Sequence, residues 1–163
     1  MNVRQIKLDD VEAFLALCKR LDAETTLMML EPGERTLDVE EQRSRLESLA
    51  KNDAIFVAEE EGALVGFLEL RSYQPKRKRH RAYIVIGILQ AYTGQGVGTA
   101  LFDHAERWAV EHGVTRLELT VMTHNRAGLA LYHKRDFVVE GLLRNSLNVD
   151  GRYVHEYSMA KLF

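Results

Sequence analysis

A single cysteine, Cys18, in 163 residues excludes an internal disulfide and favours a reducing compartment, the cytoplasm. No apolar run approaches the ~20 residues that a bilayer span needs, and the polar opening Met1–Gln5 does not read as a secretory leader. No membrane association is therefore expected. A net charge of −2 gives no global attraction to nucleic acid or to a lipid surface. No His/Cys set has metal-ligand spacing, so no metal is expected. Only two prolines are present, Pro32 and Pro75, and there is no linker, repeat or low-complexity tract. Residues 1–163 read as a single domain, with 46% apolar residues to build its core.

Period-two alternation predicts a strand over residues 3–8, and Asp9 or Asp10 then caps a helix with Val11, Phe14, Leu15, Leu17, Cys18 and Leu21 on one face. Residues 24–36 are irregular, and Asp38 starts a second helix. A hairpin follows across Glu60-Glu61-Gly62, and a basic loop, Lys76-Arg77-Lys78-Arg79, leads into a strand over 81–89. A long helix, a strand over 116–122 and a helix capped by Asn125 come next. Two last strands, 138–149 and 153–162, meet at Asp150-Gly151, a favoured hairpin pair. The order is β-α-α-β-β-β-α-β-α-β-β. It implies an α/β (α+β) fold, with a mixed, mostly antiparallel sheet of about seven strands flanked by four helices. The basic run has no interleaved aromatics, so a solvated loop is preferred to a nucleic-acid site.

The stretch Ile84 to Leu101 carries the chemistry. An apolar strand runs into Gly94, Gly96 and Gly98, and a helix begins at once. Alternate glycines clear the backbone for a bulky anion, and a helix start offers unpaired N–H groups and the positive end of its dipole. A phosphate or pyrophosphate is the expected ligand. A nucleotide P-loop needs Lys-Ser/Thr after the last glycine, and here Thr99-Ala100 follows. A dinucleotide fingerprint needs G-x-G-x-x-G in an early βαβ unit, and this segment is G-x-G-x-G in mid-chain.

Thr93-Gly94-Gln95-Gly96-Val97-Gly98 resembles the Arg/Gln-x-x-Gly-x-Gly/Ala motif of the GNAT superfamily of acyl-CoA-dependent N-acyltransferases. The block Asn125 to Phe137 resembles that family's Asn-x-x-Ala-x-x-Leu-Tyr-x-x-x-Gly-Phe. The likeness extends over essentially the whole chain. It implies acetyl-CoA as co-substrate, bound by Gly87, Ile88 and Leu89 on the strand, by Gln95, Gly96, Val97, Gly98 and Thr99 in the loop, and by Asn125 and Tyr132. Two positions depart from the family. Thr93 replaces Arg/Gln, while the backbone donors from Gln95 to Thr99 do not depend on it. Asp136 replaces a glycine and tolerates the left-handed conformation expected there.

The resemblance further implies acetyl transfer to a primary amine, on an amino acid, small amine or protein N-terminus, by direct attack in a ternary complex. Gly87 and Ile88 would polarise the acyl oxygen, and Tyr132 would be the general acid for the leaving thiolate. Candidates for the base, or for charge contacts to a cationic acceptor, are Glu69, Glu31 and Glu34. His80, Tyr83 and His155 are further pocket residues. Cys18 lies on an apolar helix face, which argues against a covalent acyl-enzyme. Alternatives are a catalytically weak acyl-CoA-binding module or another acyl donor. Members of the superfamily are often homodimers, although no apolar stripe in this sequence marks an interface.

Overall fold

The computed structural model describes residues 1–163. Its strands are β1 (Asn2–Gln5), β2 (Ala54–Glu60), β3 (Ala63–Ser72), β4 (Arg81–Ile88), β5 (Arg116–Met122), β6 (Val138–Val149) and β7 (Arg152–Leu162). Its helices are α1 (Val11–Glu24), α2 (Val39–Glu47), α3 (Val97–Glu111) and α4 (Arg126–Lys134). The strands form one sheet in the order β1-β2-β3-β4-β5-β7-β6. Every pairing is antiparallel except β4 with β5. That exception follows from connectivity: α3 carries the chain back across the sheet, so β5 starts at the same end as β4. No helix is long and apolar enough to cross a membrane.

Local chemistry sets the boundaries. Asp38 caps α2 by accepting from the Glu41 N–H, and the Glu41 side chain accepts from the Asp38 N–H in return. At the β6–β7 turn Asp150 and Gly151 both take positive φ, 51° and 79°, as a type I′ pair requires. Two expectations change at the start of the chain. β1 ends at Gln5, because residues 8–10 form a 3-10 turn. Asp10 does not cap α1 with its side chain; its carboxylate instead accepts from the Lys7 N–H and from the Arg4 guanidinium.

The core lies on both faces of the sheet. A Cβ on Gly87 would meet Leu21 of α1, and one on Gly66, the partner of Ile88, would meet Val97 of α3. Adjacent residues of a strand point to opposite faces, so α1 and α3 cover opposite sides. Phe14 of α1 packs edge-on against Phe67, with ring centroids 5.3 Å apart. At the sheet edge, β6 exposes Val138, Val139, Leu142 and Leu143, an apolar row that sequence periodicity did not mark.

The pairing of β4 with β5 covers only Arg81 to Tyr83 against Arg116 to Glu118. Beyond it, β4 stays with β3 through Ile88 and β5 stays with β7 through Met122. The sheet therefore opens into a V between its central strands, and the glycine loop lies at the wide end.

Candidate active site

The three glycines of the loop have two different jobs. Gly94 and Gly96 take φ of 77° and 85°, and a Cβ on either would meet nothing within 4 Å. They supply the left-handed turn that starts α3. Gly98 has no such requirement, but its Cβ would lie 2.6 Å from Leu131 of α4 and 3.2 Å from Ile88. Close packing, rather than anion access, requires glycine at 98. Ala100 is the first residue to close a helical bond, its N–H donating to the Gly96 carbonyl at 3.0 Å. The N–H groups of Val97, Gly98 and Thr99 thus have no partner in α3 and form its positive end. The Gln95 amide folds back to the Ala91 carbonyl at 2.7 Å and stiffens the approach.

The V supplies a second set of donors. Leu89 N–H donates to the Val65 carbonyl at 2.9 Å, which sets the phase of the β3–β4 ladder. Odd-numbered residues of β4 therefore direct their N–H groups to β3, and even-numbered ones direct theirs toward β5. Of the expected pair Gly87 and Ile88, the Gly87 N–H is spent on β3. Ile86 and Ile88 are the residues whose N–H groups face the opening. Gly87 matters instead for packing, since a Cβ there would lie 2.8 Å from Leu21 and 2.9 Å from Phe67.

Tyr132 stands on α4, on the α3 side of the sheet. Asn125 caps that helix by accepting from the Gly128 N–H at 2.9 Å. The Tyr132 ring is 7% exposed and packs among Phe102 and Phe137, with centroids 6.1 Å away in each case. Burial raises its phenol well above the ordinary value, with the nearby Tyr83 adding to the rise. Its hydroxyl has no hydrogen-bond partner in the chain. Phe137 follows Asp136, which takes the left-handed conformation expected of it, φ 66°.

The carboxylates singled out by sequence are not brought together. Glu69 is buried, and its two oxygens accept from Arg45 at 2.5 Å and Arg71 at 3.0 Å. It lines a cleft of about 540 Å³ with Arg35, Leu37 and Asp53. Each oxygen is already engaged by a guanidinium, so Glu69 is tied to α2 and its own strand rather than offered to a substrate. Glu31 and Glu34 are exposed in a turn, where Glu34 accepts from the Glu31 N–H at 2.8 Å. Tyr83 donates to or accepts from Thr120 Oγ1 at 2.8 Å, bridging the apex of the V. His80 is exposed, and only its backbone carbonyl is engaged, by Thr115 and Arg116. His155 is likewise exposed, and its Nδ1 accepts from the Asn145 N–H. Ile86 and Glu156, which sequence reasoning missed, face the opening or its flank; ladder phase would have found the first, and nothing local marks the second.

The sequence profile of the acetyltransferase (GNAT) family matches residues 17–137, and the chain belongs to that family. It is 31% identical, over 63% of its length, to the L-amino acid N-acetyltransferase of Escherichia coli; the match spans 64% of that protein, under two thirds. Among solved structures, a GNAT-family acetyltransferase from Streptococcus pneumoniae superposes with a TM-score of 0.95 at 31% identity, over 99% of both chains. A phosphinothricin acetyltransferase from Sinorhizobium meliloti, solved with acetyl-CoA, shares the fold with a TM-score of 0.86 at 17% identity, over 99% of this chain and 88% of that one.

Proposed function

We propose that this chain transfers the acetyl group of acetyl-CoA to a primary amine by direct attack in a ternary complex. One observation carries the reading. The V between β4 and β5 has unspent N–H groups on one wall, the free N–H groups of α3 at its wide end, and the unpartnered Tyr132 hydroxyl on the α3 side.

In this reading the pyrophosphate of acetyl-CoA rests on the Val97, Gly98 and Thr99 N–H groups, where helix start and ligand charge are complementary. Ile86 or Ile88 donates to the thioester carbonyl and stabilises the oxyanion as the amine adds. The carbon–sulfur bond then breaks, and Tyr132 protonates the departing thiolate. The phenol is protonated at neutral pH, as an acid must be, and burial raises its value further. Cys18 is buried and its thiol is pushed up to about 11, so it offers no thiolate for a covalent route. An unpaired thiol of this kind also suits the cytoplasm.

The test is release of CoA thiol from acetyl-CoA with a panel of amines. Amino acids come first, because a 31% identical relative is named for them. Turnover with at least one amine is expected. Tight CoA binding with no turnover on any amine would identify an acyl-CoA-binding module instead.

A further inference from the structure

Four carboxylates are buried in this fold: Asp22, Glu69, Glu118 and Glu156. Three have guanidinium partners. Asp22 meets Arg35, Glu69 meets Arg45 and Arg71, and Glu118 meets Arg81 and Arg116. Glu156, 7% exposed, takes part in no salt bridge. Its Oε1 accepts from the Ser146 hydroxyl, and its Oε2 accepts from no group of the chain. Oε2 keeps some contact with solvent, so an incoming cation can reach the one buried carboxylate that no guanidinium of the chain pairs. Ser146 is delivered by a bulge, where the β6–β7 register shifts between Leu143 and Leu147. Asn145 sits there at φ 48°, and its N–H donates to His155 Nδ1 at 2.8 Å. Bulges of this kind re-aim side chains beside active sites.

Register puts Glu156 beside the opening. It is the direct partner of Met122 on β5. Tyr83 and Glu118 are the last paired residues of β4 and β5, and four residues further along each strand stand Gly87 and Met122. Glu156 is therefore level with Gly87, between the Ile86 and Ile88 donors. Tyr83, Glu118, Thr120 and Met122 share a face, as the Tyr83–Thr120 hydrogen bond requires. Glu156 lies on that face too, which is the α1 side of the sheet, whereas Tyr132 is on the α3 side. The acid and this carboxylate flank the V from opposite faces.

We propose that Glu156 receives the ammonium group of the acceptor and takes its proton. The assignment rests on the acetyl-transfer reading above. One N–H bond breaks as the ammonium passes its proton to Glu156, leaving a neutral amine and a carboxylic acid. The amine lone pair forms the C–N bond, and the C–S bond electrons leave on sulfur, which takes the Tyr132 proton. The second nitrogen proton passes through water to restore Tyr132, and Glu156 loses its proton to solvent. The net products are the amide, CoA thiol and one proton.

The test compares wild type, Glu156→Gln and Glu156→Asp in CoA-thiol release, with an alkylamine that is charged at pH 7 and with methoxyamine, which is neutral there. Glu156→Gln preserves the shape and an acceptor for Ser146. It should lose ~100-fold or more in kcat/KM with the charged amine, the scale of general-base catalysis, and little with methoxyamine. Glu156→Asp should recover part of the loss, and acetyl-CoA affinity by calorimetry should be the same in all three. Equal losses for both amines would mean a structural role and overturn the proposal, as would no loss for either. Wild type that turns over no amine sinks the transferase reading itself. Wild-type turnover matched by Glu156→Gln sinks only the role of Glu156.

Discussion

Gly98 at the start of α3 and Leu131 on α4 approach so closely that a Cβ on the glycine would lie 2.6 Å from Leu131 Cδ2. Leu131 precedes Tyr132, so the third loop glycine sets the spacing between the anion-binding helix start and the candidate acid. Gly98→Ala should cost about 1–3 kcal/mol through overpacking and displace α4. It should lower kcat more than it weakens CoA binding. Gly96→Ala has open space but a φ of 85°, so its penalty falls on the turn itself. That variant should weaken CoA binding first. Calorimetric CoA titration beside thiol-release kinetics separates the two patterns.

The Tyr132 phenol is raised by burial, with Tyr83 contributing. A folded-state value above the unfolded ~10 means that its stabilising contribution is complete below pH ~10 and is lost as pH rises further, because the unfolded chain ionises first. Tyr132→Phe removes that term. Melting temperatures of wild type and Tyr132→Phe should run parallel from pH 7 to 9, and above that wild type should fall faster. At pH 7 the same variant should lose ~100-fold in kcat while acetyl-CoA affinity holds, since only the proton donor is missing.

Glu118 titrates in the opposite sense. Burial pushes its carboxyl upward, but hydrogen bonds from Tyr73, Arg81 and Arg116 outweigh that and hold it below the usual range. Its contribution is therefore present above the unfolded value near ~4.3 and disappears as pH falls through the folded one. Glu118→Gln should be less stable than wild type at pH 7, and the gap should close as pH is lowered below ~4. A pH series of thermal melts checks the direction.

Turn and cap chemistry was legible locally. Asn125, Asp38, Asp136 and Asp150-Gly151 each take the cap or turn expected of them, whereas Arg4 and the Lys7 N–H claim Asp10, and the order of strands and helices followed from periodicity. The divergence of β4 from β5 was legible only through the family resemblance, because Ile84 to Ile88 by itself reads as an ordinary buried strand whether or not a neighbour pairs with it. The fate of Glu69 on β3 was not legible: its partner Arg45 lies 24 residues away, on α2. Glu156 was missed for the converse reason. What distinguishes it among the buried carboxylates is the absence of a cation, and only assembled elements reveal an absence.

Asn125 combines a cap with an expected cofactor contact, and two substitutions pull these apart. Its Oδ1 accepts from the Gly128 N–H, and a Cβ on Gly128 would come 2.7 Å from the Asn125 amide nitrogen, so cap and helix start are closely fitted. Asn125→Ala should cost about 1 kcal/mol by leaving an N–H of α4 unpaired. Asn125→Asp keeps an acceptor for Gly128 and should restore most of that stability. It cannot restore the amide N–H₂ donor, so a cofactor contact made through the nitrogen stays lost. Full stability with weakened acetyl-CoA binding in Asn125→Asp therefore assigns the contact to the amide, and unchanged binding leaves Asn125 a helix cap alone.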